Sequence, residues 1–321
     1  MPPHNLKTAI VTGCAGFIGL NFTKRLLKDN WKVYGIDKLT YVSHLNELEY
    51  LKGIKNFTFI REDISTISWL PEADVIFNFA AESDVDNSNR DSYTFVQSNV
   101  AGVQNLLSII DSRVVIRTDN PLFVQISTDE VYGDLETGSF SEHSCLAPSN
   151  PYSATKAAAD LLIQSWNRTH GLDYVIVRPS NNYGPYQYPE KLIPLAVKRL
   201  QRGKKIKLHN QGNPTRSWTH VEDTVEAILT ICDKGYKNTV YNITSEFEQQ
   251  NKQTVQQILN AYFNKDVNLN DYVDLSYDRP GQDIRYSITC EPLKQLGWVA
   301  TKKFDVEIEK LVDNYKKEFR W

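Results

Sequence analysis

Short apolar runs alternate with longer amphipathic stretches through the first half of the chain. Helical spacing of apolar residues is clearest over residues 93–111 and 151–169. The apolar runs of strand length lie at residues 8–11, 32–36, 57–60, 75–79, 122–126 and 174–177. Continuously apolar strands that alternate with helices are typical of a parallel sheet covered on both faces. The pattern therefore predicts a doubly wound α/β fold.

The periodicity changes after Arg178, where prolines interrupt the chain. Residues 218–245 show a helix followed by a strand, and we expect this strand to return to the main sheet. Helical patterns near 253–263 and 305–317 follow. The predicted division is a larger domain of residues 1–178 plus about 217–250 and a smaller, discontinuous α/β domain of about 179–216 plus 251–321.

Composition and charge exclude several classes of protein. The 321 residues are 41% hydrophobic and 23% charged, which is an ordinary globular composition and excludes a disordered or coiled-coil chain. Lys and Arg number 36 against 39 Asp and Glu, so the formal net charge is −3. This balance argues against a nucleic-acid-binding protein and against a polybasic membrane protein.

The cysteines and histidines are scattered and predict neither disulfides nor a metal site. No CxxC spacing connects the four cysteines, Cys14, Cys145, Cys232 and Cys290, so we expect free thiols in a reducing compartment. The N-terminal residues lack the apolar region of a signal peptide, and no stretch approaches ~18 apolar residues. We therefore expect a soluble, cytoplasmic protein.

A glycine pattern follows the first predicted strand and opens a helix. Gly13, Gly16 and Gly19 have the GxxGxxG spacing that permits a tight turn, a close backbone approach to pyrophosphate, and close packing of helix on strand. The helix N-terminus offers N–H groups and a positive dipole end to phosphates. This context predicts a dinucleotide site and makes the larger domain Rossmann-like.

Asp37 ends the second predicted strand, where a carboxylate accepts hydrogen bonds from the adenosine ribose and repels a 2′-phosphate. The neighbouring Lys38 could accommodate that phosphate, but we favour NAD over NADP. Asp63 and Ile64, at the end of the third strand, are candidates to flank the adenine.

Tyr152 and Lys156 lie at the start of the helix that Pro151 could initiate. Their i, i+4 spacing places both side chains on one helix face. An ammonium group close to the phenol favours the phenolate, and we expect it to lower the pKa of Tyr152 from about 10. The pair predicts a general base for oxidation of a hydroxyl group.

Thr128, Asp129 and Glu130 follow the predicted strand at 122–126. Ligands of open α/β sheets bind beyond the carboxyl ends of the strands, so these side chains should face the site. A hydroxyl beside two acids suits a reaction that needs a hydrogen-bond donor, a general acid and a general base.

Several motifs together give the chain a resemblance to a known family. The sequence resembles the extended short-chain dehydrogenases/reductases, and within them the nucleoside-diphosphate-glucose 4,6-dehydratases, over nearly its whole length. The motifs that carry the resemblance are residues 12–19, 37–41, 80–83, 127–133, 151–156, 180–186, 189–194 and 278–281. The Asp129-Glu130 pair is among the most specific, since epimerases of the superfamily usually carry small residues there.

The resemblance implies a three-step cycle with NAD as the cofactor. Tyr152, tuned by Lys156, takes the proton of the glucose C4 hydroxyl while hydride passes from C4 to NAD+, and Thr128 hydrogen-bonds the C4 oxygen. Glu130 then removes the C5 proton while Asp129 protonates the departing C6 hydroxyl. Hydride returns to C6 and a proton to C5, so the net reaction is loss of water.

The resemblance also implies the binding residues and the assembly. Members usually form homodimers through two long helices of each subunit, here about 93–111 and 151–169. The implied cofactor-binding residues are Gly13, Gly16, Phe17, Ile18, Gly19, Asp37, Lys38, Thr40, Asp63, Ile64, Ala80, Ala81, Ser83, Asn99, Tyr152 and Lys156. The implied residues for the sugar-nucleotide substrate are Ser83, Thr128, Asn181, Lys191, Arg216, Asn251 and Arg279.

The sequence departs from the family pattern at three positions. Asp84 stands where many members have His, Asn87 where bacterial thymidine-type enzymes often have Arg, and Gln282 where His is usual. Gln282 can donate a hydrogen bond to a phosphate but carries no positive charge. The nucleobase stays open, because some motifs are similar to thymidine-type enzymes and others to uridine-type enzymes.

Two other functions remain as alternatives. An NAD-dependent sugar-nucleotide 4-epimerase or decarboxylase would share the C4 oxidation without the elimination, and Asp129 and Glu130 argue against it. A regulatory module that binds NAD without turnover would not require Thr128, Tyr152 and Lys156, all of which are present.

Overall fold

The computed structural model describes residues 7–114, 121–277 and 283–317. The strands are β1 (Thr8–Thr12), β2 (Lys32–Ile36), β3 (Phe57–Ile60), β4 (Val75–Asn78), β5 (Leu122–Ile126), β6 (Tyr174–Pro179), β7 (Asn181–Tyr183), β8 (Ile206–His209), β9 (Thr215–His220), β10 (Thr239–Ile243), β11 (Glu248–Gln250) and β12 (Val273–Tyr277). The helices are α1 (Phe17–Lys28), α2 (Leu45–Lys52), α3 (Val85–Arg90), α4 (Ser92–Phe95), α5 (Gly102–Val114), α6 (Pro151–His170), α7 (Leu192–Gln201), α8 (Val221–Lys234), α9 (Asn251–Phe263), α10 (Leu269–Tyr272), α11 (Glu291–Gln295) and α12 (Phe304–Lys317).

The main sheet has seven strands in the order β3-β2-β1-β4-β5-β6-β10, and every neighbouring pair is parallel. The predicted doubly wound α/β fold is confirmed, and so is the return of the strand near 240 to this sheet. The strand order reverses between β1 and β4. In open α/β sheets the crevice at such a reversal binds the ligand.

Successive strand residues contribute to the cores on opposite faces of the sheet. In β1, Ala9 and Val11 pack with α1 and α8, whereas Ile10 packs with α5 and α6. The same alternation holds in β6, where Val175 and Ile176 lie on opposite faces. Burial on both faces explains why these strands are continuously apolar in the sequence.

A second core lies among the later elements of the chain. Side chains of α7, α9 and α12 cluster with those of β8, β9 and β12. β9 pairs with β7 and β11 in a three-stranded sheet, and β8 pairs with β12. The segment near 217–250 therefore contributes strands to two sheets, because β10 joins the main sheet while β9 and β11 belong to the smaller one.

The predicted helix over 93–111 differs in detail from the observed one. The chain is helical from Ser92 to Val114, but a π-helical segment, Val96–Ala101, separates α4 from α5. The wider turn of a π-helix changes which side chains face inward, and such segments are frequent at functional sites. Here Ser98 and Asn99 are the buried residues of the segment.

The four cysteines are unpaired, as the sequence predicts. Among the described residues, no group of three or more His, Cys, Asp and Glu side chains is arranged to hold a metal ion. None of the helices in the described ranges combines the length and the apolar character needed to cross a membrane.

Candidate active site

The glycine turn lies between β1 and α1, at the reversal of strand order. Gly13 has φ of +67°, and a Cβ there would lie 2.8 Å from the Ala80 nitrogen that follows β4. A Cβ at Gly19 would overlap the carbonyl oxygen of Gly13. At Gly16 the nearest atom is 3.4 Å away, and no side chain caps the N-terminus of α1. The turn is therefore packed closely on two sides and open on the third.

A cleft with about 710 Å³ of empty space, part of it open to solvent, lies over this turn. The predicted cofactor residues that line it are Gly13, Gly16, Asp37, Lys38, Thr40, Asp63, Ile64, Ala80, Ala81 and Ser83. Phe17, Ile18 and Gly19 form the first turn of α1 beneath it. Residues that follow four strands, β1 to β4, thus meet at one place, as the topology predicts.

Asp37 and Lys38 define the end of the cleft at β2. The Asp37 carboxylate is buried and accepts hydrogen bonds from the backbone N–H groups of Ala15 (3.0 Å) and Leu39 (2.8 Å). Burial nevertheless raises the pKa of Asp37 above its ordinary value. The Lys38 ammonium lies 3.4 Å from Glu82 and 3.6 Å from Asp63. These two carboxylates offset the cation and oppose a 2′-phosphate, which favours NAD over NADP.

The Asn99 side chain hydrogen-bonds both the loop after β4 and helix α6. Its amide accepts from the Glu82 N–H at 2.9 Å and donates to the Glu82 carbonyl at 3.0 Å and to Thr155 at 2.9 Å. The π-helical segment directs the side chain inward. The side chain is therefore occupied by protein contacts, and Asn99 is not among the residues that line the cleft.

Thr128, Asp129, Glu130 and Tyr152 come together beyond the end of β5. Thr128 caps a 3₁₀ turn, Asp129–Tyr132, by accepting a hydrogen bond from the Glu130 N–H at 3.3 Å. Its hydroxyl also donates to a carboxylate oxygen of Asp129 at 3.3 Å and lies close enough to the Tyr152 phenol to lower its pKa, against the larger effect of burial. The predicted catalytic hydroxyl, acids and phenol therefore form one cluster.

The pKa of Tyr152 differs from the sequence-based expectation. Burial and the negative charge of Glu130 raise the pKa of Tyr152 above its ordinary value. The Lys156 ammonium donates to the Ile126 carbonyl at 2.6 Å, and burial lowers the pKa of Lys156 to about 8 while Asp160 opposes that shift. In this arrangement the ammonium does not offset the cost of burying a phenolate.

The two acids hold their protons differently from exposed carboxylates. Burial, followed by the charge of Glu130, raises the pKa of Asp129 to about 8, and Arg216 opposes the shift. Burial also raises the pKa of Glu130, against the opposing effects of Arg216 and of a hydrogen bond from Asn150. Asp129 is therefore protonated at neutral pH.

Two predicted substrate residues on later elements, Arg216 and Lys191, lie close enough to Glu130 for their charges to lower its pKa. Arg216 of β9 is buried, stacks 4.4 Å from the Tyr286 ring centroid and donates to the Asp283 carbonyl at 3.1 Å. No carboxylate among the described residues forms an ion pair with it. Lys191 precedes α7 and donates to the Ser83 carbonyl at 3.0 Å.

Two predicted substrate residues have buried carbonyl oxygens without a hydrogen bond among the described residues. They are the amide oxygens of Asn181, in β7, and Asn251, which begins α9. Unpaired buried acceptors are costly, so these two oxygens are available to accept hydrogen bonds from a bound substrate. Arg279 and Gln282 lie outside the described residues.

The other two departures from the family pattern lie at the cleft rim. Asp84 caps the N-terminus of α3 by accepting from the Asn87 N–H at 2.7 Å. The Asn87 amide contacts the Tyr41 hydroxyl at 3.3 Å, which in turn donates to Glu190 at 2.9 Å. Sequence reasoning missed this connection between Tyr41 and Glu190, because the two residues are distant along the chain.

Sequence reasoning also missed Asn150, which precedes α6, and Asp160, which lies on it. Asn150 caps the helix and contacts Glu130, and a signal for the cap was available, since Asn precedes Pro151 at the first helical position. Asp160 forms a buried ion pair with Arg178 at 3.0 Å and accepts from Ser127 at 3.0 Å. It follows Lys156 by one helical turn, a spacing that the sequence does display.

A doubly wound sheet, an open glycine turn at its switch point and an adjacent Tyr-x-x-x-Lys helix define the extended short-chain dehydrogenase/reductase class. Within this class, the chain belongs to the GDP-mannose 4,6 dehydratase family, whose model matches residues 10–311.

Named relatives match nearly the full length of the chain. It is 41% identical over 311 residues to the low-salt glycan biosynthesis protein Agl12 of Haloferax volcanii, covering 95% of this chain and 97% of that one. It is 38% identical over 333 residues to a dTDP-glucose 4,6-dehydratase of Xanthomonas campestris, covering 98% and 95%. The structure matches that of the dTDP-glucose 4,6-dehydratase DesIV of Streptomyces venezuelae, solved with NAD bound, with a TM-score of 0.88, 34% identity and 97% coverage of both chains.

Proposed function

We propose that this protein catalyses the NAD-dependent dehydration of dTDP-glucose or UDP-glucose to the 4-keto-6-deoxy sugar nucleotide. One observation carries the proposal: two acids with raised pKa values, Asp129 and Glu130, lie in the same cluster as Thr128 and Tyr152. Oxidation of a hydroxyl needs one base, whereas elimination of water needs a further base and a further acid. The full-length similarity to dTDP-glucose 4,6-dehydratases supports the same reaction.

The residues of the cleft fit a dinucleotide. Gly16 leaves space beside the uncapped N-terminus of α1, where a pyrophosphate binds, and Asp37 lies where ribose hydroxyls are recognised. When bound, NAD supplies a reversible hydride acceptor, which receives hydride from C4 and returns it to C6.

Tyr152, Thr128 and Lys156 serve the first step. Tyr152 accepts the proton of the C4 hydroxyl, while the Thr128 hydroxyl hydrogen-bonds the C4 oxygen. Burial keeps Tyr152 protonated in the described structure, so the phenolate requires nearby positive charge. Lys156 lies one helical turn from Tyr152 and is hydrogen-bonded to the Ile126 carbonyl. Because its charge alone does not offset the burial of a phenolate, oxidised nicotinamide would supply the remaining positive charge.

Glu130 and Asp129 serve the elimination. Oxidation at C4 makes the C5 proton acidic, and Glu130 removes it. Asp129, whose pKa is raised to about 8, is protonated at neutral pH and donates its proton to the departing C6 hydroxyl. Two adjacent carboxyls in different environments thus take opposite roles, which is a general way to obtain an acid and a base from one residue type.

Later elements of the chain bind the sugar nucleotide. Arg216 and Lys191 hold the diphosphate in this proposal, a role suited to cations. The unpaired amide oxygens of Asn181 and Asn251 suit hydroxyl and N–H groups of the substrate. Arg279 stays among the sugar-nucleotide residues that the resemblance implies. We assign NAD to residues 1–178 plus about 217–250, and the sugar nucleotide to about 179–216 plus 251–321.

The active form is a homodimer that pairs residues of about 93–111 and 151–169 from each subunit. The support is apolar exposure on these helices: Tyr93 is 70% exposed, Val96 42% and Leu161 56%. Burying such side chains at an interface is favourable.

The unpaired cysteines support a location in the reducing cytoplasm, which fractionation of source cells and immunoblotting would test.

The test is mass spectrometry of the product after incubation with dTDP-glucose and UDP-glucose in separate tubes. Loss of one water in one tube supports the dehydratase and identifies its nucleotide, and loss in both indicates a permissive base pocket. No mass change in either tube, with folded enzyme that binds NAD, contradicts the proposal. A product of unchanged mass that separates from the substrate by chromatography would favour the epimerase.

A further inference from the structure

Asn150 precedes α6 and forms two sets of hydrogen bonds in opposite directions. Its side-chain oxygen accepts from the Ser153 N–H at 2.9 Å, and the Ser153 hydroxyl lies 3.3 Å from the Asn150 N–H. These contacts form a capping box at the N-terminus of α6. On the other side, the Asn150 amide nitrogen donates to Glu130 at 3.3 Å.

The helix cap fixes the orientation of the amide. A cap must accept a hydrogen bond from a helix N–H, so the oxygen of Asn150 has to face Ser153. The NH₂ group then has to face away from the helix, toward Glu130. A flipped amide would present its NH₂ group to the Ser153 N–H, donor against donor, and is therefore excluded.

We propose that Asn150 is a positioning residue that holds Glu130 in place for proton removal and ties it to the helix that carries Tyr152. This inference rests on the proposed dehydratase function, because it concerns the residue assigned as the C5 base. The donated hydrogen bond favours the ionised form of Glu130, the form that acts as a base.

Other groups near Glu130 do not replace this contact. The Tyr286 hydroxyl lies 3.5 Å from the same carboxylate oxygen, which is farther than the Asn150 amide. The same hydroxyl also donates a hydrogen bond to Asp283, at a shorter distance. Arg216 and Lys191 lower the pKa of Glu130 through their charge. The titratable and charged groups that face Glu130 are Asp129, Tyr152, Lys191, Arg216, Asp283 and Tyr286.

Substitutions at Asn150 separate the cap from the contact with Glu130. Asn150→Ser keeps an N-cap acceptor but removes the amide donor, and Asn150→Asp keeps the cap but places a negative charge beside Glu130. A helix N-terminus stabilises that charge, so the new carboxylate stays ionised at neutral pH. Asn150→Ala removes both the cap and the donor.

The expected results differ by step and by pH. Asn150→Ser should slow water loss by about 10-fold without changing the single-turnover appearance of reduced nicotinamide, which reports C4 oxidation. Asn150→Asp should shift the acidic limb of kcat/KM for dehydration to higher pH by about one unit or more. Asn150→Ser should keep the wild-type Tm, because it retains an N-cap acceptor, whereas Asn150→Ala should lower it.

The competing explanation is that Asn150 only caps α6 and has no effect on Glu130. In that case, Asn150→Ser and Asn150→Asp would match the wild type at every pH, and this result would overturn the inference. A loss of oxidation and dehydration together would also overturn the inference, since it would show that the substitution disturbs α6 and Tyr152 rather than Glu130 alone.

A double-mutant cycle keeps the inference distinct from the proposed function. Asn150→Asp should destabilise the protein more when residue 130 is Glu than in the Glu130→Gln background, as measured by urea unfolding at neutral pH. Equal effects in both backgrounds would refute the contact whatever the activity. A clear difference in a protein that dehydrates neither sugar nucleotide would retain the contact and reject the dehydratase.

Discussion

At the residue scale, the site depends on two consecutive acids in different surroundings. Asp129 is buried and one of its oxygens has no hydrogen-bond partner among the described residues. Glu130 is half-buried and accepts hydrogen bonds from Asn150 and Tyr286. Desolvation disfavours the charged form of both, but donors stabilise the charge of Glu130. This difference in environment supports the proposed roles of Asp129 as the acid and Glu130 as the base.

The first prediction separates the steps of the reaction. In Glu130→Gln the oxidation remains available but water loss is blocked, so reduced nicotinamide should accumulate and dehydration should fall by about 10²–10⁴-fold. In Tyr152→Phe the C4 proton has no acceptor, so no reduced nicotinamide should appear. Single-turnover absorbance and product mass measure the two steps. Wild-type dehydration by Glu130→Gln would refute the assignment of the base.

The second prediction follows from the raised pKa of Asp129. A carboxyl with a pKa of about 8 in the folded state binds more protons than in the unfolded state, where its pKa is about 3.9. The free energy of unfolding should therefore fall as pH rises between these values. Asn carries no such charge, so Asp129→Asn should be more stable than the wild type above pH about 8 and similar to it below about 3.9. Urea unfolding across this range checks the sign, and parallel curves for the two proteins would contradict it.

At the scale of elements, the turn between β1 and α1 combines tight and open positions. Gly13 and Gly19 have no room for a side chain, because backbone atoms occupy the space. Gly16 is different, since a Cβ there meets only the Gly13 oxygen at 3.4 Å. Packing of the chain therefore does not require a glycine at this position, whereas the proposed approach of a pyrophosphate does.

The third prediction uses this difference. Gly16→Ala should keep the wild-type Tm but weaken NAD binding by at least about 10-fold, because the methyl group enters the space of the pyrophosphate. Gly53→Ala, at the C-terminus of α2 and with an ordinary φ, is the matched control. Calorimetric titration with NAD measures the affinity. Equal affinities in both variants would show that the dinucleotide lies elsewhere.

The fourth prediction concerns α6. Leu161 is 56% exposed within one subunit, so Leu161→Glu costs little packing there but would bury a charge in the proposed dimer. We expect this variant to be a monomer with unchanged circular dichroism, by light scattering at micromolar concentration. Val306→Glu, at a 48% exposed position on α12, should keep the mass of the wild type. If light scattering gives both variants the same assembly mass, the proposed interface through α6 is wrong.

At the scale of the whole molecule, a buried polar network joins the sheet to α6. Arg178 in β6 pairs with Asp160 and donates to the Tyr132 hydroxyl at 2.8 Å, which donates to Asn242 in β10 at 2.8 Å. Asp160 also accepts from Ser127, directly before Thr128. The network holds the end of β5, α6 and β10 in one arrangement, and it lies directly behind the catalytic cluster.

The fifth prediction tests this network. Asp160→Ala leaves Arg178 buried without its partner and should lower the free energy of unfolding by about 3–5 kcal/mol. Glu49→Ala removes one partner of an exposed ion pair with Lys52 and should change it by less than about 0.5 kcal/mol. Urea unfolding of both variants provides the comparison. A loss at Asp160 as small as the loss at Glu49 would mean that the pair is not buried in solution.

Local signals predicted most of the fold. Apolar runs of strand length and helical spacing placed β1 to β6 and α6, because burial on both faces of a parallel sheet leaves a continuous apolar run. The π-helical segment at Val96–Ala101 had no such signal, since its sequence keeps an ordinary helical pattern. The position of Asn99 was therefore predicted without its orientation.

The sequence by itself determined the chemistry available to this protein. The glycine spacing, Asp37, the Thr128-Asp129-Glu130 run and the Tyr152–Lys156 pair are local, and their meaning follows from short-range geometry and from the order of strands. The tertiary structure decided which protons and charges these groups hold. Burial raised the pKa of Tyr152, directed Lys156 to a carbonyl and brought Asn150 to Glu130. Desolvation and contacts between distant segments depend on how the chain packs, and a linear pattern does not contain them.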